Sequence, residues 1–228
     1  MSNLKIPFGI TKDEEIVYIQ DKNVLEKEKY KNCFCYECGS PLIARLGEKN
    51  IWHFAHKNSD KKCSATTESW LHKYAKQIIM QNKYITIPGL WASQYIDSNN
   101  FSDFIYKSKM FEPYKSKYNI VALEKNYKEF KPDAIIQLEN GIEIAIEIRV
   151  THKVDKNKKE KVKKSNLDMI EICLDPEDLI IYDVQNPLDE ISLKNLILHE
   201  SYRKWINKVP TKYLENKKNK LLKKMNKL

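Results

Sequence analysis

The chain has 228 residues, 42% of them hydrophobic and 31% charged, with a formal net charge of +9 and a pI near 9.1. That length supports one sizeable core, or one core plus a small module. No apolar run approaches the roughly 18 residues needed to span a membrane, and the basic balance favours a polyanionic partner over a simply solvated surface.

The N-terminal MSNLKIPFGITKDEE lacks the apolar core of a signal peptide, so a cytoplasmic protein is expected. Two short strands are expected around Ile10 and at residues 16–19, then a charged, turn-like segment through Lys31. The five cysteines are clustered rather than spread, which suits a metal site better than a disulfide framework. Cys35 and Cys38 form a C-x-x-C pair, and Gly39 directly after it permits the positive-φ backbone such turns use. Residues 51–56 (IWHFAH) read as a strand, and Cys63 follows seven residues later. Cys35, Cys38, His56 and Cys63 make a tetrahedral Zn²⁺ set. His53 and His56 face opposite sides of a strand, so one of them is the ligand. His56 is favoured because it lies nearer the strand end and Cys63; His53 is the alternative. Cys33 is the spare. A closed set of four has no open position, so this zinc is structural. The competing account is a group of reduced, buried cysteines without metal.

Thr66 before Thr67-Glu68 and an apolar periodic run marks a helix start. Trp70, Leu71, Tyr74, Ala75, Ile78 and Ile79 trace its apolar face. Glu68, His72 and Lys76 form a common stripe, either a solvated salt-bridged face or the border of an active site. Between residues 84 and 130 the pattern is weak. Residues 85–88 suggest a strand. Trp91, Tyr95, Phe101, Phe104 and Tyr106 interleave with Lys107, Lys109, Lys115 and Lys117, which suits either strand-core aromatics or single-strand stacking. A strand is expected over residues 118–123.

Residues 131–152 (KPDAIIQLENGIEIAIEIRVTH) read as a β-hairpin. Asn140-Gly141 is a strong hairpin signal, with positive φ expected at both residues. Alternation puts Ile142, Ile144, Ile146, Ile148 and Val150 on one face, and Glu143, Ala145, Glu147 and Arg149 on the other. Asp133 and Glu147 both lie away from the turn and could share one divalent ion. Residues 154–165 form a very basic helix, and residues 167–174 a strand with Cys173 as a buried free thiol. Ser192 is expected to cap a helix running through Leu193, Leu196, Ile197, Tyr202 and Trp205 until Pro210. From Arg203 onward there are ten basic residues and one acidic. The last lysine-rich stripe suits a DNA-backbone helix, a protein partner or self-association helix, or a solvated tail.

This ordered set resembles the competence protein CoiA-like family, nucleases of the PD-(D/E)XK superfamily. The resemblance rests on Cys35-Tyr36-Glu37-Cys38-Gly39, His53-Phe54-Ala55-His56, Cys63, Glu68 through His72 to Lys76, Pro132-Asp133 and Glu147-Ile148-Arg149-Val150-Thr151-His152. It covers about residues 30–175. It implies an α/β (α+β) fold: a restriction-endonuclease-like αβββαβ core over residues 66–190, a small β-rich zinc module over 1–65 and C-terminal helices over 191–228. By resemblance Asp133 and Glu147, helped by the Ile148 carbonyl, would hold Mg²⁺ or Mn²⁺ for DNA hydrolysis, and Glu68 would supply a first-helix carboxylate. The superfamily lysine two residues after the Glu is Arg149 here. Arginine stays protonated, so it orients water and neutralises phosphate rather than acting as base. Lys158 on the following helix brings an amine instead. The alternative is a non-catalytic nucleic-acid-binding protein on a degenerate nuclease fold. Competence, recombination and defence against foreign DNA are all compatible with the resemblance.

Overall fold

The computed structural model describes residues 6–20, 24–47, 52–57, 63–64, 67–96, 104–150, 156–174 and 188–225. Expectations for Thr66, Phe101, Thr151, His152 and residues 154–155 lie outside the described residues. In chain order the elements are β1 (Phe8–Ile10), β2 (Ile16–Tyr18), a 3-10 helix (Val24–Tyr30), β3 (Leu42–Arg45), β4 (His53–His56) and α1 (Thr67–Gln81). Then come β5 (Tyr84–Ile87), β6 (Leu90–Ile96), β7 (Phe104–Phe111), β8 (Tyr114–Leu123), β9 (Ala134–Leu138) and β10 (Glu143–Arg149). The last are α2 (Lys156–Ser165), β11 (Asp168–Cys173), α3 (Glu190–Asn195), a π-helical turn (Leu196–Glu200), β12 (Arg203–Asn207) and α4 (Lys212–Met225). This is a mixed α+β fold. None of the described helices is long and apolar enough to cross a membrane.

The chain forms two compact units: Met1–Lys83 with Ile148–Lys153 and Ile172–Tyr202, and Tyr84–Glu147 with Val154–Glu171 and Arg203–Leu228. In the first, β1 pairs antiparallel with β2, and β3 with β4. The segment expected to be turn-like before Lys31 is the 3-10 helix. The apolar stripe of α1 (Trp70, Leu71, Tyr74, Ala75, Ile78 and Ile79) is fully buried. The Phe8 ring lies 5.0 Å from Tyr18 and 5.2 Å from Tyr74, joining the first hairpin to that helix. Such ring pairs add roughly 0.5–1.5 kcal/mol beyond their burial. Gln77 completes the contact. Its amide oxygen accepts from Ile16 N at 2.7 Å, and its Nε2 donates to Ile16 O at 2.8 Å. One side chain thus satisfies the donor and acceptor that the edge of β2 presents.

The long sheet runs in the order β12-β11-β10-β9-β8-β5, and β6 and β7 form a separate ribbon. The strands and helix expected over residues 118–123, 132–138, 142–150, 154–165 and 167–174 are present as β8, β9, β10, α2 and β11. Strand β8 starts four residues earlier than expected, at Tyr114, because it also pairs with β5. Strands β5 and β12 sit at opposite ends of the order, yet their edges meet. Arg203 Nη1 donates to Thr86 O at 3.0 Å, and Trp205 Nε1 donates to Pro88 O at 3.0 Å. The sheet therefore curls on itself.

Two local expectations are corrected. The hairpin loop between β9 and β10 has positive φ only at Gly141 (+80°), not at Asn140 as well. Leu138 N donates to Ile142 O at 2.9 Å, and Gly141 N donates to Leu138 O at 2.9 Å. This is a three-residue loop, in which one left-handed glycine suffices. The helix expected to start at Ser192 and reach Trp205 does neither. Asp189 is its N-cap, accepting from Ser192 N at 2.8 Å, and the helical backbone ends at Glu200. Residues 203–207 are a strand because Arg203, Trp205 and Asn207 all bond backbone carbonyls, the last to Leu167 O at 2.7 Å. Lys204, on the other face, pairs at 2.8 Å with Glu171, a carboxylate 1% exposed. A buried carboxylate left without its cation is strongly destabilising, so period 2 wins over the helical pattern.

Candidate metal centre and acidic hairpin

The turn after Cys33 is built by the backbone. Leu42 N donates to Cys33 O, Cys35 N to Ser40 O and Gly39 N to Cys35 O, each at 2.8 Å. Gly39 sits at φ +64°, with open space where a Cβ would be. Its conformation, not crowding, calls for glycine. The register of β3 with β4 sets Leu42 opposite His56 and Arg45 opposite His53. His56 is therefore at the end of the strand pair nearest the knuckle, and His53 at the far end.

Ligand atoms of Cys35, Cys38, His56 and Cys63 all lie within 4.8 Å of one another. Cys35 Sγ and Cys63 Sγ are 3.6 Å apart, and Cys38 Sγ and His56 Nε2 are 3.4 Å apart. Sulfur at ~2.3 Å and nitrogen at ~2.0–2.1 Å from a tetrahedral centre would be about 3.5–3.8 Å from each other. The four groups could thus hold a zinc ion with little movement. Cys33 is fully buried and donates to Lys29 O at 3.5 Å, outside this group.

The thiols differ in proton affinity. Burial pushes Cys33 up to about 11. Burial likewise carries Cys35 up to about 12, against the backbone donors of Cys38 and Glu37. Burial also acts on Cys38, but donors from Ser40 and then the thiols of Cys63 and Cys35 outweigh it and bring Cys38 down to about 6. Cys38 is thus the member of the set that gives up its proton most readily to the thiolate form a metal requires.

In the hairpin, Glu143 pairs with Gln137, Ile144 with Ile136, Ala145 with Ile135 and Ile146 with Ala134. The regular register ends at Ile146 with Ala134; Asp133 N donates to Ile146 O at 3.1 Å, one residue out of that register, so the chain bulges at Asp133 beside the strand end that carries Glu147. Asp133 thus lies at the same end of the β9–β10 pair as Glu147, whose side chain leaves β10 on the face opposite Ile146 and Ile148. Strand alternation sends the carbonyl of Ile148 to the same edge of β10 as that of Ile146.

Ala145 lies on that face too, fully buried in a cluster with Phe130, Val162, Leu167 and Met169. Val162 is the apolar anchor of an otherwise lysine-rich α2. A small Ala145 lets the helix approach. Lys158, one turn before Val162, then reaches Glu147, the next residue along the same face. Lys158 Nζ donates to Glu147 Oε1 at 2.5 Å, with the two side chains 21% and 17% exposed. Glu147 Oε2 and Arg149 Nε are buried as well.

Glu147 and Lys158 are brought together in this way, Arg149 follows Glu147 on its face, and Asp133 lies at the same end of the hairpin. Glu68 lies on α1, with its side chain outside the described residues. Ser40 was not anticipated as a support for Cys38, although a hydroxyl directly after C-x-x-C-G was a readable signal. The role of Ala145 and Val162 in aiming Lys158 had none, because it depends on how α2 docks.

Among known families, residues 17–66 match the model described as competence protein CoiA, N-terminal domain. No curated protein and no solved structure matches the chain. The likeness to the CoiA family is thus carried by the segment that holds all four of the clustered cysteine and histidine ligands.

Proposed function

We propose that this chain is a Mg²⁺- or Mn²⁺-dependent nuclease acting on DNA, with a zinc-stabilised N-terminal module and a restriction-endonuclease-like core. The observation that carries the reading is the Lys158 amine on Glu147 at 2.5 Å, at the hairpin end where Asp133 N donates to Ile146 O. Two carboxylates at one end of a hairpin would form a hard oxygen donor set of the kind that suits these ions. A bound divalent ion would make a water more acidic and neutralise charge on the scissile phosphate. Asp133 and Glu147 offer the oxygens, and the Ile148 carbonyl offers a third. Lys158, held by Glu147, supplies a positive charge and a movable proton donor in place of the lysine that Arg149 replaces. Arg149 adds fixed positive charge for the phosphate. The wild-type chain and an Asp133→Ala/Glu147→Ala double variant, incubated with single- and double-stranded DNA and Mg²⁺ or Mn²⁺, should differ by at least 100-fold in cleavage rate; equal nicking by both would overturn the reading.

A second reading draws on the same ion pair. With an ammonium on one oxygen of Glu147, the acidic pair could serve only structure, and the chain would be a nucleic-acid-binding protein. It predicts binding that needs no divalent ion and survives loss of both carboxylates.

A further inference from the structure

We infer that the outer face of the β6–β7 ribbon is a docking surface for single-stranded nucleic acid, with Trp91 as its stacking platform. This deepens the proposed function by naming the strand state of the polyanion, and it rests on that reading only for nucleic acid as the partner.

The ribbon is two-faced. Its register sets Trp91 opposite Lys109, Ala92 opposite Ser108 and Ser93 opposite Lys107. Ala92 is 2% exposed and Met110 5%, so one face is packed. On the other face Trp91 is 53% exposed, and Ser93, Lys107 and Lys109 are exposed around it. Among the described residues the indole is left half-exposed between lysines. A large apolar ring in water is costly unless something covers it. The charges beside it select an anion, and a base with its phosphate supplies both a flat ring and a negative charge.

Lys109 marks the place. Its Nζ lies 5.0 Å from the Trp91 ring centroid and also pairs with Glu112 at 2.7 Å. Both contacts are exposed and weak, so an arriving nucleotide can replace them. The base takes the ring, and Lys109 turns to the phosphate. Duplex fits poorly, because its base faces are covered by their stacked neighbours and a strand-borne indole cannot reach one without unstacking the helix. Helix α4, with six lysines against Glu215, packs against both β6 and β7 and extends the positive field along the ribbon.

The test uses the full chain carrying Asp133→Ala/Glu147→Ala, so that nothing is cut, and no added divalent ion. Fluorescence anisotropy follows a labelled oligothymidylate of about thirty nucleotides and a duplex of the same length. The single strand should bind more tightly. Trp91→Ala should weaken it about tenfold, within the range for one base–aromatic stack, and Trp91→Phe should restore most of the loss. Lys107→Gln/Lys109→Gln should flatten the log–log salt dependence by about 1.4, the value for two phosphate contacts on a single strand. Equal binding of single strand and duplex, or full affinity in Trp91→Ala, would overturn the inference. Either result can occur while wild-type protein still cleaves DNA and the double variant does not, so this failure is distinct from failure of the nuclease reading.

Discussion

At the scale of single residues, the cysteine set makes the sharpest predictions. Replacing Cys38 with Ser should reduce the zinc content of protein purified without chelator from near one per chain to near zero by metal analysis. His56→Asn should do the same, while His53→Asn keeps its zinc. The proton affinities add a pH dependence to the metal-free protein. Cys38 is depressed from 9.0 to about 6, so its contribution to stability is full above pH 9 and lost as pH falls through 6. Cys35 is raised from 9.0 to about 12, so its contribution is full below pH 9 and lost as pH rises through 12. Their sum peaks near pH 9, which urea melts of metal-free protein across pH would reveal. Zinc must take Cys35 as thiolate, so loading near neutral pH should release its proton but none from Cys38. Calorimetry in buffers of different ionisation enthalpy counts the protons. Lys158→Met tests the other site. It should cost about 1–2 kcal/mol, less than a fully buried pair because both partners keep some solvent. Added Mn²⁺ should raise the melting temperature of this variant more than that of wild type, since the cation would replace the lost ammonium.

At the scale of elements, two glycines separate two physical causes. Gly141 has φ +80° and open space around a would-be Cβ, so Gly141→Ala carries only backbone strain, about 1 kcal/mol. Gly9 has ordinary φ, but a Cβ there would meet Cys33 Cβ at 2.9 Å and the Phe54 ring at 3.1 Å. Gly9→Ala should cost more, about 1–3 kcal/mol by overpacking, and denaturant melts of the two variants would rank them. Much of the element inventory was legible in sequence. The helix over residues 67–81 and the strands around Asp133 and Glu147 carry clean periods of 3.6 and 2. What was not legible had competing patterns. Leu193, Leu196 and Ile197 continue a helical stripe into residues whose polar side chains instead serve a strand. The alternation of Arg203, Trp205 and Asn207 becomes visible only against their carbonyl partners. The β6–β7 ribbon was hidden because its exposed face carries an aromatic residue, which reads equally as core.

At the scale of the whole molecule, curling ties the last strand of the long sheet to the first. Arg203→Met with Trp205→Phe removes both donors to the edge of β5 and should cost about 2–6 kcal/mol, given roughly 1–3 for each lost bond to a carbonyl left unsatisfied. Hydrogen exchange should then rise in β5 and β12 before it rises in β9 and β10.

The sequence by itself determined the helix over residues 67–81, the strands around Asp133 and Glu147, the basic balance, the C-x-x-C-G knuckle and a choice of ligands down to one of two histidines. These follow from local chemistry: spacing, turn residues and side-chain period. Tertiary structure decided the rest. The pairing of β3 with β4 set His56, not His53, beside the three thiols. The turn at Gly141 brought Asp133 to the strand end that carries Glu147. The docking of α2 through Val162 onto Ala145 carried Lys158 to Glu147, eleven residues away along the chain. The physical reason is the same in each case: a side chain's type is written locally, but its distance to another depends on register and packing, which only the folded chain supplies.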